Sequence, residues 1–269
     1  MASRSIKKTV SWLLLILLAP LHAYAGIAEC QALIQTLIRS EIRPTSRNST
    51  LQKIEDETAT GSLIDFQEEM KTAAIRAHNR RIESALREPI KKSEPDTVGE
   101  IGHSEANTLV RVITEHPTNG ARHEKKFDPD ECYGFCFGRA VLVHSEALRR
   151  GVDPEAMKKI WAVGPLERGK WHFHVATLLK ARSPGTWWAA DPIYKNAINV
   201  QTWMARMRNG ADDDRLMFFV TDPRRFSVYD PRFYSALDLL GDGESDYYRG
   251  YFRAYLEYTA QQPLPALFR

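Results

Sequence analysis

Between Cys132 and Asp191 the hydrophobic pattern changes period, and that change constrains the fold more than any other feature of the chain. From Phe137 to Arg150 the apolar residues Phe137, Ala140, Val141, Val143, Ala147 and Leu148 suit one buried helix face, with Gly151 as its stop. Trp161–Leu166 and Trp171–Leu179 then read as strands joined by the charged turn Glu167–Lys170, and Thr186–Ala190 reads as a third. Strands that return through short turns run antiparallel. The expectation is an α+β fold in which a cysteine-bearing helix packs on an antiparallel sheet.

Three residues in this stretch carry chemistry. Cys136 falls at or just before the first helical turn, where exposed backbone N–H groups and the helix dipole favour an anionic sulfur and one N–H can stabilise an oxyanion. The plainer reading of Cys136 is a small buried apolar residue. Strand alternation puts Trp171 and Phe173 on one face and His172 and His174 on the other, so the pattern alone leaves the two histidines equal as bases. Asp191, just past the third strand, can accept an imidazole N–H and fix its tautomer, although Asp191-Pro192 also suits the start of a turn. The order Cys, His, Asp is that of an acyl-transferring thiol enzyme of the papain and transglutaminase type. His172-x-His174 with Cys132 and Cys136 raises zinc as a rival, but that spacing is uncommon for zinc and no general base stands beside it. No cofactor or metal is therefore expected. Trp171 and Trp188 are candidates to line a substrate groove, against the commoner role of strand tryptophans as core.

The N-terminus accounts for the basic balance of the chain. Arg4, Lys7 and Lys8 precede the apolar run Trp12–Leu18, then Pro20 and the small-residue site Ala23-Tyr24-Ala25, a series that predicts a secretory signal cleaved after Ala25. The apolar run is shorter than the ~20 residues of a membrane span. A secreted or periplasmic protein without a stable membrane anchor is expected. Residues 1–25 hold three basic and no acidic side chains, so cleavage takes the formal charge from +3 to zero. A neutral chain gives no whole-domain reason to expect nucleic acid as a partner. Cys30, Cys132 and Cys136 all survive cleavage, leaving one unpaired thiol if a disulfide forms. Both a Cys30–Cys132 bridge and a Cys132–Cys136 bridge stay open.

Residues 26–118 read as a helical N-terminal region: one amphipathic helix through Ile27–Ile38, another from about Ser62 to Arg87 stopped by Pro89, and a linker between Lys91 and Glu105. Periodicity does not decide whether Thr108–Thr114 is a strand or a short helix. The region suits a prosegment, a partner-binding layer or a supporting subdomain, and residues 119–269 hold the catalytic portion. Past Asp191, Leu216–Val220 and Phe226–Tyr229 suggest strands, and Asp230-Pro231 leads into a short helix ending near Gly241–Gly243. A last helix over about Ser245–Ala260 carries an aromatic stripe that suits packing on the sheet.

The series Cys136-Phe-Gly-Arg139-Ala140, Val163-Gly-Pro-Leu166, Trp171-His-Phe-His174-Val175-Ala176, Asp191-Pro192 and Trp203 resembles the bacterial protein-glutaminase family. The resemblance spans about 70 residues, from Cys136 to Trp203, and rests on shared order more than on any one motif. It implies a transglutaminase-like α+β core and deamidation of glutamine side chains in proteins. On it, Cys136 rather than Cys132 is the nucleophile, His174 rather than His172 the base, and Asp191 the orienting carboxylate. It also implies a protein or peptide substrate presenting glutamine, and it lends weight to residues 26–118 being an inhibitory prosegment. A papain-like peptidase or a transglutaminase on the same core, or a non-catalytic binding protein, are the alternatives.

Overall fold

The computed structural model describes residues 72–88, 99–119, 126, 135–166, 171–183, 186–211, 215–228, 232–234, 246–263 and 265–268. The expected signal sequence, the helix expected over Ile27–Ile38, Cys30, Cys132 and the helix expected to end near Gly241–Gly243 lie outside the described residues. Among the described residues the chain runs α1 (Thr72–Ala85), α2 (His103–Glu115), α3 (Cys136–Arg149), β1 (Met157–Leu166), β2 (Trp171–Lys180), β3 (Trp187–Ala190), β4 (Ile198–Asn199), α4 (Val200–Asn209), β5 (Met217–Thr221) and α5 (Asp246–Ala260). The strands form one antiparallel sheet in the order β4-β3-β2-β1-β5. The fold is thus α+β, with helices on both sides of the sheet.

Alternation along the strands divides the interior in two. Trp161, Val163, Val175, Leu179, Met217 and Phe219 pack with α2, α3 and α5, whereas Ile160, Ala162, Ala176, Leu178 and Phe218 pack with α1 and α4. α1 and α2 are built into these cores: Ile82 is buried in one, and Ile75, Leu109 and Ile113 in the other. α1 also covers the sheet edge. Asn79 donates from Nδ2 to the Leu216 carbonyl at 2.8 Å and accepts the Phe218 N–H at 2.9 Å, so its amide stands in for a neighbouring strand along β5.

Several expectations change against the structure. Thr108–Thr114 belongs to helix α2, because Ala106, Leu109, Val110 and Ile113 form a buried stripe at helical spacing. The linker expected to reach Glu105 ends earlier: Ile101 is buried and bridges Ala181, and Glu105 pairs with Arg182. β1 starts four residues before the expected strand. After β5 the chain turns at Asp222, whose carboxylate accepts the Arg224 N–H at 2.8 Å, and residues 226–228 form no strand. The stripe of α5 joins the core on this face of the sheet mainly through α3 and the turn Pro117–Asn119. Gly138 makes that approach possible, since a Cβ there would lie 2.8 Å from Tyr251 Cε1. β4 and α4 occupy a stretch to which the sequence reading assigned no element; its signals are Asn199, whose side chain caps the Gln201 N–H at 2.9 Å, and the buried series Val200, Trp203, Met204, Met207.

Candidate active site

The site forms where the sheet is incomplete. β3 pairs only with the Thr177–Lys180 half of β2, so the half bearing His174 has β1 on one side and no described strand on the other. α3 begins there with Cys136. One turn further along, the Ala140 carbonyl accepts the Thr177 hydroxyl at 2.7 Å, which fixes the height of the helix against β2. A bulge in β1 shapes the same end. Gly164 has φ +142°, and a Cβ on it would lie 3.1 Å from the Arg215 carbonyl oxygen, so the register slips between Val163 and Leu166 and Leu166 reaches the cavity wall.

Cys136, His174 and Asp191 come together at this point. A cavity of about 260 Å³ is lined by Cys136 and His174, with Arg139, Phe173, Ile193, Tyr194 and Arg206 among its other walls. His174 donates from Nε2 to Asp191 Oδ2 at 2.7 Å, which leaves Nδ1 for the cavity it shares with Cys136, and the sulfur is close enough to pull the imidazole toward its charged form. Asp191 is 1% exposed. Its Oδ2 also accepts the Trp203 indole N–H at 2.8 Å, and its Oδ1 accepts the Ile193 N–H at 3.3 Å. Trp203 is itself fully buried and stacks on the His174 ring, centroids 5.8 Å apart. The carboxylate is therefore held by two donors before it meets the imidazole.

The electrostatics follow from this enclosure. Burial alone would push the His174 imidazole down, but the Asp191 charge and hydrogen bond, with a smaller pull from Cys136, override it and raise His174 to about 10. Burial alone would raise Asp191; the His174 charge and the hydrogen bonds from His174, Trp203 and Ile193 hold it below the usual carboxylate range instead. His174 is thus an imidazolium at neutral pH, turned toward Cys136. The N-cap residue Phe135 gives α3 no side-chain cap, so the Cys136 N–H at the first helical position is placed to receive an oxyanion.

The histidines separate here as strand alternation could not separate them: His172 is exposed, while His174 lines the cavity. Trp171 opens β2, but its side chain lies outside the described residues. Trp188 is not brought to the cavity. It is half-buried on β3, stacks on His103 at 4.6 Å and donates its indole N–H to the Ile101 carbonyl at 3.1 Å. The roles of Trp203, Arg139, Arg206 and Tyr194 were not assigned from sequence. Trp203 and Arg139 each had one signal, their places in the protein-glutaminase-like series; Arg206 and Tyr194 are neighbours only in space.

A second buried polar cluster lies behind the first turns of α3. Lys159 is fully buried, with Nζ 4.2 Å from the Phe137 ring centroid and 4.7 Å from that of Tyr234, and it donates to the Arg225 carbonyl at 3.0 Å. Burial pushes its ammonium well below the ordinary lysine range, with Asp222 and Cys136 pulling the other way. Among the described residues no group of three or more His, Cys, Asp or Glu is placed to hold a metal ion, and no helix is long and apolar enough to cross a membrane. Comparison with protein-family models, curated proteins and solved structures returned no match.

Proposed function

We propose that this protein is a cysteine-dependent amidohydrolase that deamidates protein-bound glutamine. The observation that carries the reading is the His174–Asp191 pair, locked by Trp203 and sharing with Cys136, at a helix start, a cavity with room for one side chain. A cysteine helix on an antiparallel sheet that carries His and then Asp fits a transglutaminase- or papain-like core. The series Cys136 to Trp203, resembling the protein-glutaminase family, favours glutamine as the amide.

In this reading the Cys136 thiolate attacks the δ-carbon of glutamine, and the oxyanion takes the Cys136 N–H. Collapse of the tetrahedral intermediate breaks the C–N bond, and the His174 imidazolium gives its proton to the departing ammonia. The neutral imidazole then removes a proton from water. The resulting hydroxide adds to the thioester, and glutamate leaves as the thiolate and imidazolium are restored. Asp191 steadies His174 through both transfers, and Trp203 steadies Asp191. The charged, apolar, Ala-x-Ala series of residues 1–25 supports an activity in the periplasm or outside the cell.

Ammonia release from a glutamine-rich denatured protein, read beside the small mass gain of Gln to Glu, tests the proposal. The wild type releases ammonia without cleaving or cross-linking the substrate, and Cys136→Ala falls to background. Peptide fragments or cross-linked products in place of ammonia would assign the chain to the peptidase or transglutaminase reading. A fully active Cys136→Ala would remove the nucleophile from the scheme.

A further inference from the structure

The cavity that holds the nucleophile is electrically one-sided. Arg139, one turn after Cys136 on α3, and Arg206, in the last turn of α4, both line it, and no Asp or Glu stands among the described lining residues. Arg206 is exposed and lies over the Tyr194 ring, 4.7 Å from its centroid. Its neighbour Arg208 instead pairs with Glu83. With His174 protonated, the walls carry three positive groups. The mouth is otherwise apolar, with Phe173 38% and Ile193 46% exposed.

We infer that the site selects glutamines that lie beside an acidic side chain, the substrate carboxylate meeting Arg206 at the rim and Arg139 deeper in the cavity. A guanidinium stacked on an aromatic ring presents its fork of N–H donors in a fixed plane, which suits a carboxylate. Apolar walls weaken solvent screening and strengthen such a contact. A lysine in the same place would meet like charge. This inference rests on the deamidase reading only for the identity of the reacting amide.

Two measurements test it. Three peptides that differ only in the residue beside glutamine, as Glu, Ala or Lys, should release ammonia with kcat/KM in that order. The steps should be about fivefold at low salt, as for one partly exposed ion pair, and narrower at high salt. Arg206→Glu should reverse the order. Equal rates across the three peptides, or a variant that slows all three alike, would overturn the inference.

The second measurement needs no turnover: alkylation of Cys136 by iodoacetate and by iodoacetamide, each rate divided by that of a small free thiol. The anionic reagent should be favoured in the wild type and lose that advantage in Arg206→Glu and Arg139→Gln. An advantage that survives both substitutions would belong to His174 alone and sink the proposal. If the reagent preference behaves as expected while no peptide releases ammonia, the deamidase reading fails and the acidic selectivity stands.

Discussion

Two histidines, the half-buried His174 beside the start of α3 and the buried His144 within α3, have opposite protonation behaviour. His174 is raised to about 10, whereas His144 is lowered to about 3. Burial pushes both down, so the difference lies in the company each keeps. His174 faces the carboxylate of Asp191, which among the described residues has no cation of its own besides the imidazole. His144 meets the Tyr234 hydroxyl at 2.7 Å and lies in the field of Lys159 and Arg224; the one nearby carboxylate, Asp222, is already bound by Arg224 through two side-chain hydrogen bonds. In the proposed mechanism the imidazole that shuttles protons is the one with a carboxylate reserved for it. The other serves as a neutral hydrogen-bonding strut.

Asp191→Asn should collapse the difference and gives the largest expected effect. The amide keeps an acceptor for the Ile193 N–H but loses the charge, so His174 falls back toward or below its ordinary 6.5. A loss of about 10²- to 10⁴-fold in kcat is expected. The alkaline limb of kcat/KM, close to pH 10 in the wild type, should move down toward neutrality in the same variant. Trp203→Phe comes next. It keeps the ring over His174 but removes a donor from a buried carboxylate, which should cost about 1.5–3 kcal/mol of stability in urea unfolding at pH 7 and lower kcat less than Asp191→Asn does.

His144→Phe is the smallest in activity and the sharpest test of the contrast. It should leave kcat as it is while destabilising the fold by about 0.5–1.5 kcal/mol, because the Tyr234 hydroxyl loses its hydrogen bond to the imidazole and keeps the one to the Pro223 carbonyl. The two histidines also pull stability in opposite directions with pH. His174, raised in the fold, contributes stability that is complete below 6.5 and lost as pH rises through about 10. His144, lowered in the fold, contributes stability that is complete above 6.5 and lost as pH falls toward 3, where the unfolded chain binds the proton first. Thermal melts from pH 7 to 4 should therefore fall less steeply for His144→Phe than for the wild type. Equal slopes would mean that His144 is not held neutral.

Local pattern marked the junctions where the trio sits, a helix start at Cys136, an alternating strand at His172 and His174 and a strand end at Asp191, and the resemblance to the protein-glutaminase family chose His174 between the two histidines. Local pattern also located the three strands β1 to β3 and the last helix. What it could not supply is contact across the fold. His172 and His174 share a strand face, and only the short reach of β3 and the place of Cys136 distinguish them. Trp188 looked like a groove residue and is instead a packing partner of α2, since β3 buries its neighbours on both faces. The α4 stripe was present in the sequence, but that it presents Trp203 to Asp191 and Arg206 to the cavity follows from tertiary packing alone. α1 and α2 teach the same lesson: amphipathic helices in a region read as a candidate prosegment fill both cores.

The central claim is that the sulfur of Cys136 carries the acyl group that His174 and Asp191 help to form and release. Acid quenching of the first turnover with a glutamine peptide, followed by mass spectrometry of the fragment that contains Cys136, tests it most directly. The account predicts a thioester adduct on Cys136 that appears before glutamate accumulates and is absent from Cys136→Ala. Glutamate forming while that fragment stays unmodified at every quench time would contradict it.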